Sequence, residues 1–431
     1  MRLTIENLAF IKKADISLNG ITCIAGVNNV GKSTVGKTIF ALIYSLTNYQ
    51  QLFMQERINF IESNLRFLRY DLQGKENNFK DRLTELRLTL EQNDMSRALE
   101  ILESFEEQLS NGEKAETRSI ERMEKMKKLI LQDEESEEVI VQIVNRIFSH
   151  IFSGQVAPLH SSNQTEIKLT HKSDEIVSIT MNADDGTKVA LKRELPLNQA
   201  IYIESPYVFQ FLNTYQQLNR IQPPYSKMIN VNQIPLYIND LLYKMLNSRG
   251  DKGLLKIDLF VGQSREQEQH LYDSFRKLID GEMMFDEKID EFVFTSDKIG
   301  QKIKMSNIAS GVKSLAIIQK LVHHGWLDEM TILVIDEPEN HLHPKWQVAF
   351  AKFLVELHVI LGIKVLVTSH SPYFIEALEV FTKKNKSSNK MAFYEANFEG
   401  EGTVLRDVTN HLSEIYELLS EPLDFLEEER L

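Results

Sequence analysis

Apolar and polar positions along this 431-residue chain divide it into stretches with different periods. Near the start, Leu3 to Glu6, Ala14 to Leu18 and Ile21 to Ala25 are short and rich in apolar and β-branched residues, which predicts three strands. Asn19-Gly20, between the last two, is a hairpin signal. From Val35 the apolar positions recur at helical spacing to about Leu46 or beyond. From Tyr49 to about Phe152 glycine and proline almost vanish, and Glu, Lys, Arg, Gln and Leu dominate. Groups such as Phe60-Ile61, Leu65 and Phe67-Leu68 repeat with a helical period, which predicts three to five helices broken at Gly74 and Asn111-Gly112. Charged patches such as Glu121 to Lys128 read as solvated helix faces. The heptads are too irregular for a long rod. A self-packed helical lobe and a short antiparallel coiled coil remain as alternatives.

After Ser153-Gly154 the period shortens to two. Thr165 to Thr170, Glu175 to Met181 and Lys188 to Lys192 alternate, with Asp184-Asp185-Gly186 as a turn signal. Ala200 to Ile203 reads as a buried strand, and residues 207–280 are mostly helical in pattern without visible chemistry. Met284 to Phe294 and Lys302 to Met305 predict one further hairpin, with its turn near Ser296-Asp297 or Gly300. The final third alternates strictly: helix 311–324, strand 331–335, helix 345–361, strand 363–368, a helix from 372, and strand 391–395, then an acidic helix from Ser413 to Glu429. That alternation is the signature of an α/β sheet covered on both faces. The expected division is a head split into residues 1–48, 154–206 and 281–431, a helical insertion at 49–153, and a mostly helical segment at 207–280.

Composition narrows the picture. The chain is 42% hydrophobic and 26% charged, ordinary for a soluble globular protein of more than one core. Cys23 is the only cysteine, so no internal disulfide forms, and a reducing cytoplasm is the expected location. No apolar run approaches the roughly 20 residues of a membrane span. The net charge of −13 argues against a protein coated for nucleic acid, although a local basic groove is compatible with it.

The chemistry begins at Gly26-Val27-Asn28-Asn29-Val30-Gly31-Lys32-Ser33-Thr34, which matches G-x-x-x-x-G-K-[ST] and sits between a predicted strand and a predicted helix. Gly26 and Gly31 let the backbone turn so that successive N–H groups face phosphate oxygens, and the helix start adds its partial positive charge. Lys32 would reach the β- and γ-phosphates and Ser33 would hold magnesium. Thr331 to Ile335 followed by Asp336-Glu337-Pro338 is a buried strand ending in two acids. Asp336 can hold the metal opposite Ser33, and Glu337 can polarise the attacking water. The next strand ends in Ser369-His370-Ser371-Pro372, so His370 can face the γ-phosphate. Ser310-Gly311-Val312-Lys313-Ser314 opens a helix and forms a second anion site. One subunit needs only one phosphate cradle, so Ser310, Gly311 and Lys313 suggest ATP held by a partner subunit. A metal site at His341 and His343 is disfavoured, because ligands at that spacing on an extended chain point to opposite sides.

Taken in order, these motifs resemble the ABC-type ATPase superfamily. The loop Gly26 to Thr34 and the segment Asp336-Glu-Pro-Glu-Asn-His-Leu-His-Pro344 are similar to its SMC-like and OLD-like branch, over residues 1–48 and roughly 300–395. The resemblance implies an α/β fold: an ABC-type head with a mixed sheet, flanking helices and a β subdomain, carrying an inserted α-helical domain or short coiled coil. It implies ATP and Mg²⁺ as cofactors, with Lys32 and Ser33 in the Walker A loop, Asp336 and Glu337 as the Walker B pair, and His370 as the switch histidine. It also implies Ser310 and Gly311 as a signature acting in trans, and Asn340-His341 crossing between paired heads. Val312-Lys313 stands where transporter relatives have Gly-Gln, which counts against a transporter. No glutamine aligns as the lid residue; Gln210 is the nominal candidate.

That branch supplies ATPase subunits to DNA repair and to bacterial anti-phage defence. The segment after the last α/β strand is too short for the nuclease domain of OLD-like enzymes. The expected role is therefore a sensor or scaffold subunit of the PARIS, Septu or retron-associated kind. It would be a homo-oligomer with ATP sandwiched between heads, controlling a separately encoded nuclease or toxin in response to DNA or a phage-derived trigger. A DNA-repair clamp and an ATP-driven protein platform are the alternatives.

Overall fold

The structure, a computed structural model, describes residues 1–68, 76–110, 117–156, 163–182, 186–204, 206–221, 234–249, 262–298 and 300–429. The chain divides into two units, Met1–Thr47 with Asn145–Gln217 and Asn232–Leu431, and Asn48–Val144 with Leu218–Val231.

In the first unit the strands are β1 (Arg2–Leu8), β2 (Ile11–Ser17), β3 (Ile21–Ala25), β4 (Thr165–His171), β5 (Asp174–Asn182), β6 (Gly186–Leu191), β7 (Gln199–Ile203), β8 (Gly281–Asp286), β9 (Glu291–Ser296), β10 (Lys302–Lys304), β11 (Thr331–Asp336), β12 (Lys364–Ser369), β13 (Met391–Glu399) and β14 (Gly402–Asp407). Eleven of them form one mixed sheet in the order β6-β5-β4-β1-β2-β14-β13-β3-β12-β11-β7. From β13 to β7 all neighbours are parallel. From β6 to β2 all are antiparallel. The parallel strands read as continuous apolar runs because both faces are covered: all of β3 and β7, and Thr331 to Ile335 of β11, are buried. Burying one such Val, Leu or Ile side chain contributes about 1.5–3 kcal/mol.

Helices α1 (Lys32–Leu68), α2 (Glu76–Glu91), α3 (Met95–Ser110), α4 (Thr117–Leu131) and α5 (Glu137–Ile151) come first in the chain. They are followed by α6 (Leu212–Ile221), α7 (Leu236–Leu246), α8 (Gly262–Ile279), α9 (Ser310–His323), α10 (Pro344–Leu361), α11 (Pro372–Lys384) and α12 (Ser413–Glu428). α1 starts at the phosphate loop and packs tightly on the parallel strands: a Cβ on Gly36 would lie 2.9 Å from Val334 Cγ1 and 3.0 Å from Tyr202 Cε2. α10 starts at Pro344, whose missing N–H costs nothing there, and ends at Gly362 in the left-handed conformation (φ 69°).

The second unit is helical. Its core joins Ile58, Ile61 and Leu65 of α1 to Leu86, Leu102, Phe105, Met123 and Met126. Arg57 is fully buried there; its guanidinium donates to the carbonyls of Leu129 (3.1 Å) and Gln132 (2.7 Å) and pairs with Glu134 at 2.7 Å. Among the described residues no helix is long and apolar enough to cross a membrane.

Several details differ from the sequence reading. Asn19-Gly20 is not a hairpin, because β13 and β14 lie between β2 and β3 in the sheet. Gly20 serves a close approach instead, since a Cβ there would overlap the carbonyl of Lys390. The stretch Met284 to Phe294 is not one strand: it folds back at residues 287–290 into β8 and β9, with Asp290 at φ 56°, and β10 is a third strand on the same small sheet. β14 was not anticipated. The helix after the phosphate loop runs to Leu68. Gly74, Asn111-Gly112 and Asp184-Asp185 lie outside the described residues.

Candidate nucleotide site

In an open α/β sheet the carboxyl ends of parallel strands form the place where a ligand can meet several loops at once. Here β3, β12, β11 and β7 lie side by side. Their carboxyl ends lead into the phosphate loop, His370, Asp336-Glu337 and Glu204 respectively.

The loop after β3 has the backbone its motif demands. Gly31 is left-handed (φ 77°), as is Asn29 (φ 66°), one of the few residue types that tolerate this. Val27, Asn28 and Asn29 are exposed and Val30 is buried. A Cβ on Gly26 would stand 2.6 Å from the carbonyl of Ala396. Thr34 donates its N–H to Gly31 O at 3.0 Å as α1 begins. Lys32 is buried, and its ammonium donates to the carbonyls of Gly26 (2.9 Å) and Val27 (2.7 Å) and lies 3.9 Å from Glu337 Oε1. Burial lowers its pKa, while Glu337, Asp336 and Glu339 oppose that shift. Phosphate oxygens are natural partners for a charge held in this way.

Asp336 ends β11. Its carboxylate is hydrogen-bonded to Ser33 and to the Thr368 hydroxyl, and accepts from Tyr202 Oη at 3.3 Å. Burial raises its pKa, and the Ser33 and Thr368 bonds oppose this. Ser33 and Asp336 thus place hard oxygen donors together beside the phosphate loop, a set that fits Mg²⁺ completed by phosphate and water. Glu337 follows in the left-handed region (φ 48°), a conformation costly for a non-glycine residue and here fixed by two bonds from its N–H, to Thr368 O and Thr368 Oγ1, both 3.1 Å. Its side chain accepts from Asn340 Nδ2 at 2.7 Å and lies 3.6 Å from His370 Nδ1. His370 first, then Asn340 and Lys32, hold the Glu337 carboxyl down at about 2, against the effect of burial. The contact with Glu337 raises the His370 pKa.

The structure therefore brings Lys32, Ser33, Asp336, Glu337 and His370 together. Ser310, Gly311 and Lys313 belong to the first turn of α9, with Ala309 before it as a cap residue that makes no side-chain bond. Lys313 donates to Ser306 O at 3.0 Å. Gly311 meets the acidic loop through Leu342, which occupies the space a Cβ would need. His343 caps α10, accepting from Lys345 N at 3.3 Å, and His341 is left-handed (φ 62°). No group of three or more His, Cys, Asp or Glu side chains forms a metal cage among the described residues.

Gln210 lies exposed on a 3-10 turn, Pro206–Phe211. At the tip of β7 stands Glu204, which the sequence reading passed over. The pairing Ile203↔Ile335 puts it level with Asp336; it pairs with Lys37 at 2.6 Å and accepts from Tyr237 Oη. Glu339, Thr368 and Tyr202 were also missed. The only signal for them was position, near the end of the acidic strand for Glu339 and of the strands adjoining it for Thr368 and Tyr202.

Residues 207–376 match a family described as "AAA domain, putative AbiEii toxin, Type IV TA system". Solved structures similar to the chain include the SMC head domain from Thermotoga maritima, at 11% identity over 94% of this chain and 98% of that one, with a TM-score of 0.38. An SmcHead bound to the C-winged helix domain of ScpA is 10% identical, covering 96% and 98%, with a TM-score of 0.43. A third is the Smc head domain with an extended coiled coil bound to the C-terminal domain of ScpA derived from Pyrococcus furiosus, at 10% identity over 100% and 99%, with a TM-score of 0.41. No curated protein matches the chain. The family match covers less than half of the chain and takes in Asp336, Glu337 and His370 but not the phosphate loop.

Proposed function

We propose that this protein binds ATP with Mg²⁺ at the carboxyl ends of β3, β12, β11 and β7 and hydrolyses it. The observation that carries the reading is the convergence of Lys32, Ser33, Asp336, Glu337 and His370 on one row of strand ends. Lys32 exchanges its two carbonyl partners for β- and γ-phosphate oxygens. Ser33 and Asp336 hold the metal, which when bound neutralises charge on those oxygens. Glu337 orients the attacking water. A carboxylate held near 2 is a weak base, which suits a reaction driven by positioning and electrostatics more than by early proton removal. His370 faces the γ-phosphate and links its presence to the end of β12.

ATP is then sandwiched between two heads, with Ser310, Gly311 and Lys313 of one copy completing the site of the other. Closure follows if ATP binds the paired state better than the separated one. In the cell this ATPase acts as a sensor or scaffold for a separately encoded toxin or nuclease in anti-phage defence. The support for that role is the resemblance over Gly26 to Thr34 and Asp336 to Pro344, together with the toxin–antitoxin context in the description of the matching family.

The test is the solution mass of the Glu337→Gln protein with ATP and Mg²⁺, with and without short duplex DNA. An ATP-dependent or constitutive oligomer indifferent to DNA supports the scaffold. A monomer that pairs only with ATP and then retains DNA would replace it with a repair clamp. Unchanged mass together with full turnover would overturn the assignment of Glu337.

A further inference from the structure

Behind the acidic pair lies a carboxylate with no assigned role. Glu339 is 3% exposed. Its Oε1 accepts from Ser369 Oγ (2.7 Å) and from the N–H of His370 (2.7 Å), and lies 3.4 Å from His370 Nδ1. Its Oε2 is buried without a hydrogen-bond partner, and so is His370 Nδ1. The two loops are tied a second time by Gln347, which donates to Leu342 O at 3.0 Å and accepts from Ser371 Oγ at 2.5 Å.

A brace alone does not require a charge at this position. A neutral amide oxygen would accept the same two bonds from Ser369 and His370. A buried carboxylate carries a heavy desolvation cost unless something positive faces it, and here burial, the largest influence, raises the Glu339 pKa. The buried Lys32 ammonium interacts with it, and the His370 ring faces it directly: Nδ1 lies between Oε1 of Glu339 at 3.4 Å and Oε1 of Glu337 at 3.6 Å. A carboxylate beside one ring nitrogen keeps the proton on that nitrogen and fixes the ring.

We infer that Glu339 is a positioning residue for hydrolysis: its charge, together with that of Glu337, keeps Nδ1 of His370 protonated while Nε2–H, on the far side of the ring, donates to the γ-phosphate. The inference rests on His370 facing the nucleotide, as proposed above. Neutralising Glu339 without changing its shape then weakens the hold on the ring while leaving the bonds from the Ser369 hydroxyl and the His370 backbone N–H in place.

The experiment compares steady-state ATP hydrolysis by wild type, Glu339→Gln, His370→Ala and the double variant. Glu339→Gln is expected to lower kcat at least about tenfold, the scale typical of lost orienting carboxylates, with KM for ATP unchanged. The double variant should be no slower than His370→Ala, because both changes remove one function. Wild-type kcat in Glu339→Gln, or a double variant slower by the product of the two effects, would overturn the inference. Normal turnover in His370→Ala would instead overturn the placement of His370, and the inference with it. A second readout needs no turnover. Ring-nitrogen chemical shifts of His370 in the free protein, assigned by their loss in His370→Ala, should show both nitrogens protonated in wild type and a larger share of neutral ring in Glu339→Gln at the same pH. Identical shifts in both proteins would contradict the inference.

Discussion

The two halves of the eleven-stranded sheet use the same backbone bonding to different ends. From β13 to β7 the strands are parallel and largely buried, so consecutive strands must be joined by crossovers and all their carboxyl ends lie along one edge. Four of those ends carry Lys32 and its loop, His370, Asp336-Glu337 and Glu204. From β6 to β2 the strands are antiparallel, successive ends alternate between the two edges, and burial alternates along β4 from Thr165 to Thr170. That half instead pairs its charged side chains across neighbouring strands and along them, as in Lys192–Glu175 at 2.8 Å and Lys168–Glu166 at 2.6 Å. Parallel pairing gathers loops; antiparallel pairing scatters them.

The comparison breaks most sharply under two substitutions. Lys32→Ala should abolish ATP binding with little loss of fold stability, because it removes the buried ammonium facing the phosphates. Ile179→Ala, at a fully buried position of β5, should cost about 2–5 kcal/mol of stability and leave ATP affinity intact. Nucleotide titration and chemical denaturation of both variants check this; weakened ATP binding in stable, folded Ile179→Ala would contradict the division.

Gly36→Ala sharpens it. The added methyl meets Val334 and Tyr202, so it pushes α1 away from the parallel strands. Overpacking of this kind costs about 1–3 kcal/mol, and here it should also weaken ATP binding, since α1 carries Lys32 and Ser33. A variant that loses stability but not affinity would show that the loop holds its shape independently of the helix.

The smallest expected effect is on pH. His324, at the end of α9, is pushed down by burial to about 4, below the ordinary 6.5. Between those values the unfolded chain binds a proton that the folded chain does not, so stability should fall as pH drops from about 6.5 to about 4. The scale is on the order of 1–3 kcal/mol. His324→Gln should remove that share of the slope in urea unfolding at pH 7 and pH 4.5. An equal slope would rule His324 out as its source.

What was legible in the sequence follows from the same contrast. The parallel half announces itself, because strands buried on both faces read as apolar runs and the loop after β3 ends in Gly31, with Lys32 and Ser33 opening α1 at fixed spacing. Helices α9 to α12 were visible from their period. Asn19-Gly20 misled because glycine was needed for an approach to Lys390, far away in the chain, and local turn chemistry cannot reveal that. Glu339 and Glu204 were hidden for a related reason. Each is an ordinary acid in sequence and acquires meaning only when strand order puts it beside His370 or Asp336.

The most direct test of the account is to measure ATP binding and phosphate release together for wild type and Glu337→Gln. Wild type should bind ATP and release phosphate only with Mg²⁺. Glu337→Gln should bind ATP as tightly and lose about a hundredfold or more in turnover. Tight binding with wild-type phosphate release in Glu337→Gln would contradict the claim that this row of strand ends hydrolyses ATP.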